Sequence, residues 1–300
     1  MANVKTPEDN LITTATFSDA QIREVDFVEQ FQSNLKKLME ALGITRKVAK
    51  AAGTVLKTYK ATGTLQDGRT VPEGEIIPLS QYTIVEQNYK EITLKKYRKA
   101  TTAENIVKYG FKQAVNMTSD KMRKDAANVI KADFFTELAT GTGTATGVGL
   151  QSTLAKAWGV LQTVFEDNEI ESVFFVNPLD IADYLAAAEI TTQTAFGMKY
   201  VEDFLGLGTV FTNTNVPQGT IYATAKENLV MYYIPVNGAD LGEAFDFTTD
   251  DTGYIGIHAG AVYNNLTAED VVVDGIEFFA EKIDGVVVAT ISDGSVTPQP

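Results

Sequence analysis

Two strand-like stretches, residues 53–65 (GTVLKTYKATGTL) and 82–99 (YTIVEQNYKEITLKKYRK), flank a segment dense in Gly, Pro and charge, QDGRTVPEGEIIPLSQ. Val, Thr and Tyr on either side of turn residues predict a long β-hairpin with an irregular tip. Arms of this length would reach about 40 Å at the rise of a β-strand. They carry Lys57, Lys60, Lys90, Lys95, Lys96, Arg98 and Lys99 and show little apolar alternation. A ribbon so polar cannot bury itself in its own core, and an isolated two-stranded ribbon is only marginally stable in water. The pattern predicts a hairpin that lies on a neighbouring subunit. The candidate contact residues are Lys57, Lys60, Lys95, Lys96, Arg98 and Lys99, with Arg69, Glu73 and Glu75 at the tip. An ordinary surface hairpin is the alternative.

Charge is divided along the chain in a way that fits contact between copies. Of 25 Lys and Arg, 21 lie in residues 1–140, and only Lys156, Lys199, Lys226 and Lys282 lie beyond. The acids divide 17 and 22, so the first part is about +4 and the rest about −18. Complementary fields steer encounter and fix register between subunits. A Lys-rich helical half that merely precedes an acidic, sheet-rich half is the other reading. The net charge of −14 argues against a general nucleic-acid binder, whose affinity comes mainly from neutralising phosphates.

Cysteine is absent, which removes disulfides, thiolate nucleophiles, Cys-ligated zinc and iron–sulfur clusters together. No apolar run approaches the roughly 20 residues that span a bilayer. The opening MANVKTPEDNLITTATF lacks a basic-then-apolar leader pattern.

Residues 1–17 read as an extended arm. Ser18 and Gln21 form a capping box, and Ile22, Val25, Val28, Phe31, Leu35, Leu38 and Leu42 then recur at helical spacing up to Gly43. Thr101 and Glu104 form a second capping box, followed by a helical pattern over 103–138 that would be about 50 Å long if unbroken. The NMTSD stretch at 116–120 is the expected kink. The segment GTGTATGVG (141–149) reads as a flexible linker and domain boundary. Beyond it lies α/β character. Helices are expected over 153–165 and 179–188. Strands are expected at 172–176, 210–211, 220–223 and 228–234, the first stopped by Asn177-Pro178. From Glu243 onward the chain is β-rich, with strands at 254–258, 271–273, 276–283 and 286–291 and Asp-Gly turns at 274–275 and 284–285. The final SDGSVTPQP reads as disordered.

Motifs for chemistry do not assemble. The glycines at 141–149 follow a helix and no Lys closes them, so they lack the strand–loop–helix context of a phosphate loop. His258 is the only histidine and sits in YIGIHAGAV, the pattern of a sheet-lining residue. No GxSxG elbow supports a triad around it. Asp246, Asp250 and Asp251 lack the alternating ligand spacing of a calcium loop. Glu166, Asp167, Glu169 and Glu171 form a solvated charge run. No nucleophile, base and oxyanion hole come together; neither a cofactor nor a metal is expected.

The order of parts nevertheless resembles a known family. VPEGEIIP (71–78), the strand–Asn-Pro–helix FFVNPLDIADYL (174–185) and the stretch FLGLGTVFTNTNVPQGTIYATAKENLVMYYI (204–234) are similar to the major capsid protein of tailed bacteriophages, the Hong Kong-type fold shared with encapsulin shells. The resemblance covers nearly the whole chain, and its motifs are architectural rather than catalytic. It implies an α+β phage major capsid fold. An N-terminal arm and helix (1–52) would precede an extended β-hairpin loop (53–100). A peripheral domain (101–140 and 236–284) would be built on a long spine helix, beside an α/β axial domain (141–235 and 285–300). It implies a structural head protein, not an enzyme, that self-assembles into hexamers and pentamers of an icosahedral shell. Such a shell encloses DNA without sequence-specific binding, in a virion assembled in the bacterial cytoplasm, with no membrane. A portal and a separate scaffolding protein are the implied partners, because only about fifty residues precede the loop. Some members cross-link a loop Lys to an Asn; the matching turn near 268–274 has no Asn, so no cross-link is expected. An encapsulin-type cargo shell, or an α/β enzyme using surface carboxylates, are the alternatives.

Overall fold

The computed structural model describes residues 35, 36, 39, 46–67, 70–72, 74–166, 170–187, 193–195, 198–238, 241, 244, 245, 247–249 and 252–292. Strand β1 (Lys47–Ala49) precedes the hairpin strands β2 (Val55–Thr64) and β3 (Gln81–Glu91). Strand β4 (Lys95–Thr102) leads into α1 (Ala103–Tyr109), a π-turn over Lys112–Asn116 and the long helix α2 (Met117–Ala139). Then come β5 (Gly143–Val148), α3 (Gly149–Phe165), β6 (Ser172–Val176), α4 (Pro178–Ala187), β7 (Gln193–Ala195), β8 (Met198–Phe204), β9 (Gly208–Thr212), β10 (Thr220–Ala225) and β11 (Leu229–Tyr233). The chain closes with β12 (Ile255–Val262), β13 (Thr267–Asp274), β14 (Ile276–Ala280) and β15 (Val286–Ser292).

A seven-stranded mixed sheet, ordered β5-β15-β10-β6-β9-β8-β7, forms the largest layer. Its centre is the run SVFFV, every residue of which is buried. Side chains alternate across a strand, and here both faces are covered. Val173 and Phe175 join a core with Phe134, Phe135 and Phe278. Phe174 and Val176 join a second core with Leu154, Leu161 and Phe165 of α3 and Ile181 of α4. A strand buried on both faces reads as an unbroken apolar run, which is why its limits are legible from sequence. The first core is knit by edge-to-face rings, Phe134 to Phe175 at 5.3 Å and Phe134 to Phe278 at 5.0 Å.

The glycine-rich segment is not a linker. It is β5, pairing in parallel with β15 along the edge of this sheet. At Gly147 an added Cβ would lie 2.4 Å from the backbone nitrogen of Thr153. The glycine therefore serves close approach of strand and helix, not flexibility.

The spine is broken earlier than its sequence predicts. Helix α1 is capped by Thr102 rather than Thr101, the Thr102 hydroxyl accepting from the Asn105 N–H at 3.4 Å. It ends at Gly110, whose φ of 86° is open to glycine. The π-turn follows, and regular helix resumes at Met117. Among the expected amino-terminal helix positions, Leu35 and Met39 are helical and buried in the first core. The rest of that helix, the arm, the acidic positions Asp246, Asp250 and Asp251, and the tail from 293 lie outside the described residues.

Two smaller three-stranded sheets, β1-β11-β14 and β12-β13-β4, complete the body, and β2-β3 stands as a separate ribbon. Strand β11 pairs with β1 and β14, outside the seven-stranded sheet. The Asp-Gly turns at 274–275 and 284–285 therefore join strands of different sheets rather than hairpin partners. Strands β7 and β8 carry no clear signal in the sequence.

Candidate assembly surface

The hairpin is shorter than its sequence predicts. Its second arm ends at Glu91, and the chain turns through Ile92–Leu94 into β4, which belongs to the β12-β13-β4 sheet. Its root is apolar: Leu56 and Ile92 pack with Ile234 and Phe279, with Leu94 and Leu241 against them. Beyond that root the ribbon leaves the body. Val55 is 40% exposed, and Tyr59, Tyr82, Ile84 and Tyr89 are all more than half exposed. At the tip Ile76 is 94% exposed, Ile77 72% and Leu79 91%. The surface is thus more apolar than the Lys count implied. Isolated exposed hydrophobics are ordinary, but a contiguous run of them on a protruding element marks an interaction surface.

Of the residues expected at this surface, Lys57, Lys60 and Glu75 lie on the ribbon, whereas Arg69 and Glu73 lie outside the described residues. Lys57 reaches Glu86 across the ribbon at 2.9 Å. Lys60 pairs with Asp284 at the turn before β15, tying the ribbon to the seven-stranded sheet. Glu75 is exposed.

Lys95, Lys96, Arg98 and Lys99 are not on the hairpin at all. Alternation along β4 divides them. Lys95 and Lys99 face α2; Lys96 and Arg98 are exposed. Lys95 contacts Asp133 at 2.8 Å and Glu277 at 3.0 Å. Burial pulls its pKa down, but Asp133 and Glu277 more than offset this and hold it above its ordinary value. Lys90, near the ribbon's root, behaves in the same way, contacting Glu137 at 2.9 Å and Glu277 at 3.0 Å. Lys99 is more deeply placed, at 8% side-chain exposure. It donates to Asp270 at 2.7 Å and to the Val115 carbonyl at 3.1 Å, beside the π-turn. Ser119 donates to that same carbonyl at 2.7 Å. Together they satisfy the backbone where the helical ladder slips. Burial is the larger influence on Lys99 and lowers its pKa despite Asp270. Arg98 makes a bidentate pair with Glu269, at 2.8 and 2.6 Å. That hydrogen bond holds the Glu269 carboxyl below its usual value.

Sequence reasoning missed the network that these lysines build. Glu277, flanked by Ile276 and Phe278, reads as one polar residue in an apolar strand, and nothing in the sequence pairs it with Lys90 and Lys95. His258 is also placed differently. It is exposed on the outer face of the β12-β13-β4 sheet, while Ile257 beside it is buried.

Among the described residues no group of three or more His, Asp or Glu side chains is arranged to hold a metal ion, and no helix is long and apolar enough to cross a membrane. No family model matches the sequence, and no curated protein matches it. Solved structures do share its fold. One from Mycobacterium phage Patience, 9% identical, is matched over 100% of this chain and 97% of its own at a TM-score of 0.53. The capsid asymmetric unit of cyanophage A-1(L), 11% identical, is matched over 95% of this chain and 99% of its own, also at 0.53. The holo-SrpI encapsulin complex from Synechococcus elongatus, 10% identical, is matched over 97% and 99% at 0.50. The chain has the mixed α+β fold of phage capsid and encapsulin subunits. At these identities the likeness is one of architecture.

Proposed function

We propose that the chain is the structural major capsid subunit of a phage head, which self-assembles into an icosahedral shell around DNA. The observation that carries this reading is the ribbon β2-β3: rooted in an apolar cluster, it projects Ile76, Ile77 and Leu79, exposed among the described residues. In this reading the ribbon lies over the next subunit, with Lys57, Lys60, Arg69, Glu73 and Glu75 at the contact and Lys96 and Arg98 on the surface that receives it. Lys95 and Lys99 brace the subunit that presents them. The peripheral domain takes in 101–140 and 236–284, and the axial domain 141–235 and 285–300. The reading assigns no catalysis. A portal, a scaffolding protein and DNA held without sequence-specific contacts are the partners that such a shell implies, and the virion is its location.

Deleting residues 66–75 tests this. The segment lies beyond the apolar root, so the variant subunit should keep the circular dichroism of the intact chain while electron microscopy shows no shells. Normal shells from the variant would overturn the reading. A cargo shell of the encapsulin kind is the second reading, favoured by the encapsulin match at TM-score 0.50. Nuclease-protected DNA in particles from infected cells supports the first reading, and a packaged protein cargo the second.

A further inference from the structure

At one end of the seven-stranded sheet lies a polar cleft of about 820 Å³ that none of the contacts above uses. Strands β6 and β9 run parallel there, with Val176 opposite Thr212 at their carboxyl ends. The crevice beyond the carboxyl ends of such neighbours is where open α/β sheets take their ligands. Pro178, at the start of α4, and the loop 213–215 line the cleft from the sheet, and Asn128, Lys131 and Ala132 line it from α2. The loop is pinned. Asn177 Nδ2 donates to the Val216 carbonyl at 2.7 Å, the Asn213 N–H to the Val176 carbonyl at 3.1 Å, and the Asn215 N–H to Asn213 Oδ1 at 2.8 Å. A ligand therefore meets a loop that is already ordered, which lowers the cost of binding.

The lining has the chemistry of an anion site. Lys199, opposite Thr212 near the start of β8, brings an exposed ammonium. Lys131 brings a second from α2; it is half-buried, and burial lowers its pKa. An anion beside a partly desolvated ammonium offsets that penalty and gains a charge-assisted hydrogen bond. The acid in the lining, Asp125, pairs with Lys121. Asn128, Thr214 and Asn215 are exposed, and their amides and hydroxyl offer donors and acceptors to a polyol. Among the described residues the lining holds no aromatic ring on which a base would stack.

We propose that this cleft binds a sugar–phosphate unit, its phosphate held by Lys131 and Lys199 and its hydroxyls by the asparagine-rich loop. Two sources carry that chemistry: a free phosphorylated sugar and the backbone of a nucleic acid. The site goes beyond the shell reading and does not rest on it, because one subunit supplies every lining residue. The chain's net charge of −14 opposes an anion at long range, so binding depends on these two local cations.

Calorimetric titration of unassembled subunits with ribose-5-phosphate, ribose and inorganic phosphate tests this. Ribose-5-phosphate should bind at least tenfold more tightly than either of the other two. No binding of it, or equal binding of inorganic phosphate, overturns the proposal. The double variant Lys131→Gln, Lys199→Gln should weaken binding at least tenfold. The control Lys156→Gln, Lys226→Gln removes the same charge outside the cleft and should change it less than twofold; equal losses in the two variants overturn the site. Ala132→Trp, at an exposed position of α2, fills the cleft at constant charge. It should abolish binding while circular dichroism stays that of the wild type, and wild-type affinity in this variant also overturns the site. Should the lysine variant fail to fold, Ala132→Trp decides alone. A fluorescent thymidine decamer, followed by anisotropy, separates the two sources. Tighter binding of the decamer than of ribose-5-phosphate, lost in Ala132→Trp, assigns the site to nucleic-acid backbone; no binding of the decamer assigns it to a free phosphorylated sugar. Wild-type protein that builds no particles defeats the shell reading and leaves this test intact.

Discussion

Lys95 Nζ lies 3.0 Å from Glu277 Oε1, and through this contact the strand that follows the ribbon is tied to β14. The other oxygen of the same carboxylate lies 3.0 Å from Lys90 at the ribbon's base. One buried acid therefore holds two cations that stand on either side of the turn at Ile92–Leu94. Asp133 and Glu137 of α2 complete the cluster. The ribbon, β4, β14 and helix α2 meet at this point, so the direction in which the ribbon leaves the body is set here.

Replacing Glu277 by Gln keeps its shape and removes the shared charge. Each lysine retains one acid, and both are partly solvated, so the cost falls below that of a fully broken buried pair. We expect a loss of about 2–3 kcal/mol, read from urea unfolding of unassembled subunits. The lysine pKa values lie above 10.5 in the fold, so the stability from these pairs is complete below that pH and is lost only as pH rises through the folded values. The deficit of the variant should therefore be constant between pH 7 and 9. A deficit that disappears within this range would show that the lysines are not held as charged groups.

Asp274 gives the opposite dependence. It is fully buried, its Oδ2 has no hydrogen-bond partner, and burial raises its pKa from 3.8 to about 6. Ionisation is thus harder in the fold than in the unfolded chain. The penalty is absent below pH 3.8, grows up to about 6 and is complete above it. Asp274→Asn keeps an oxygen for the Ile276 N–H and removes the charge. At pH 8 it should stabilise the subunit by about 1–3 kcal/mol, and the gain should vanish near pH 4. A destabilised variant at pH 8 would mean that the ionised form is needed.

Two glycines predict opposite outcomes for the same change. Gly147→Ala drives a methyl against the Thr153 backbone and should cost about 2 kcal/mol or more through displacement of β5 from α3. Gly159→Ala, inside α3 with nothing within 4 Å of the added carbon, should stabilise by about 0.5–1 kcal/mol. Melting temperatures of the two unassembled variants measure both.

Leu56→Ala probes the ribbon's anchor. Leu56 is 7% exposed and packs on Ile92 and Phe279. Truncation should cost about 2 kcal/mol or more. Amide exchange should quicken in β2 and β3 while the amides of β6 and β10 keep their protection. Uniform acceleration throughout the chain would show that the root is part of the global core rather than a local latch.

The architecture was legible where one face or both faces of an element repeat a simple rule. SVFFV is buried on both sides, so its limits match the apolar run. Helix α2 follows the expected spacing because one stripe of it, Ala126, Ile130, Phe134 and Leu138, packs inward. The order of ribbon, spine and sheet, with the motifs at 71–78 and 174–185, was sufficient to point to the capsid-type fold.

The candidate site was legible only in part. That a polar ribbon leaves the body follows from its composition, and Lys57, Lys60 and Glu75 do lie on it. The sequence alone did not decide where the ribbon ends. Residues 82–99 are strand-like nearly throughout, and local propensity contains no mark for a change of sheet at Ile92–Leu94. Nor could it sort Lys95 and Lys99, turned inward against Asp133 and Asp270, from the exposed Lys96 and Arg98. That division depends on which face of β4 meets α2, and the acids that compensate the buried lysines lie 38 and 171 residues further along the chain. The glycines of β5 are the same case: close approach and flexibility call for the same residue, and only the position of Thr153 shows which applies. Local patterning marks most of the elements and their order, β5, β7 and β8 excepted; their partners follow from the fold alone, because burial and charge compensation depend on residues distant in the chain.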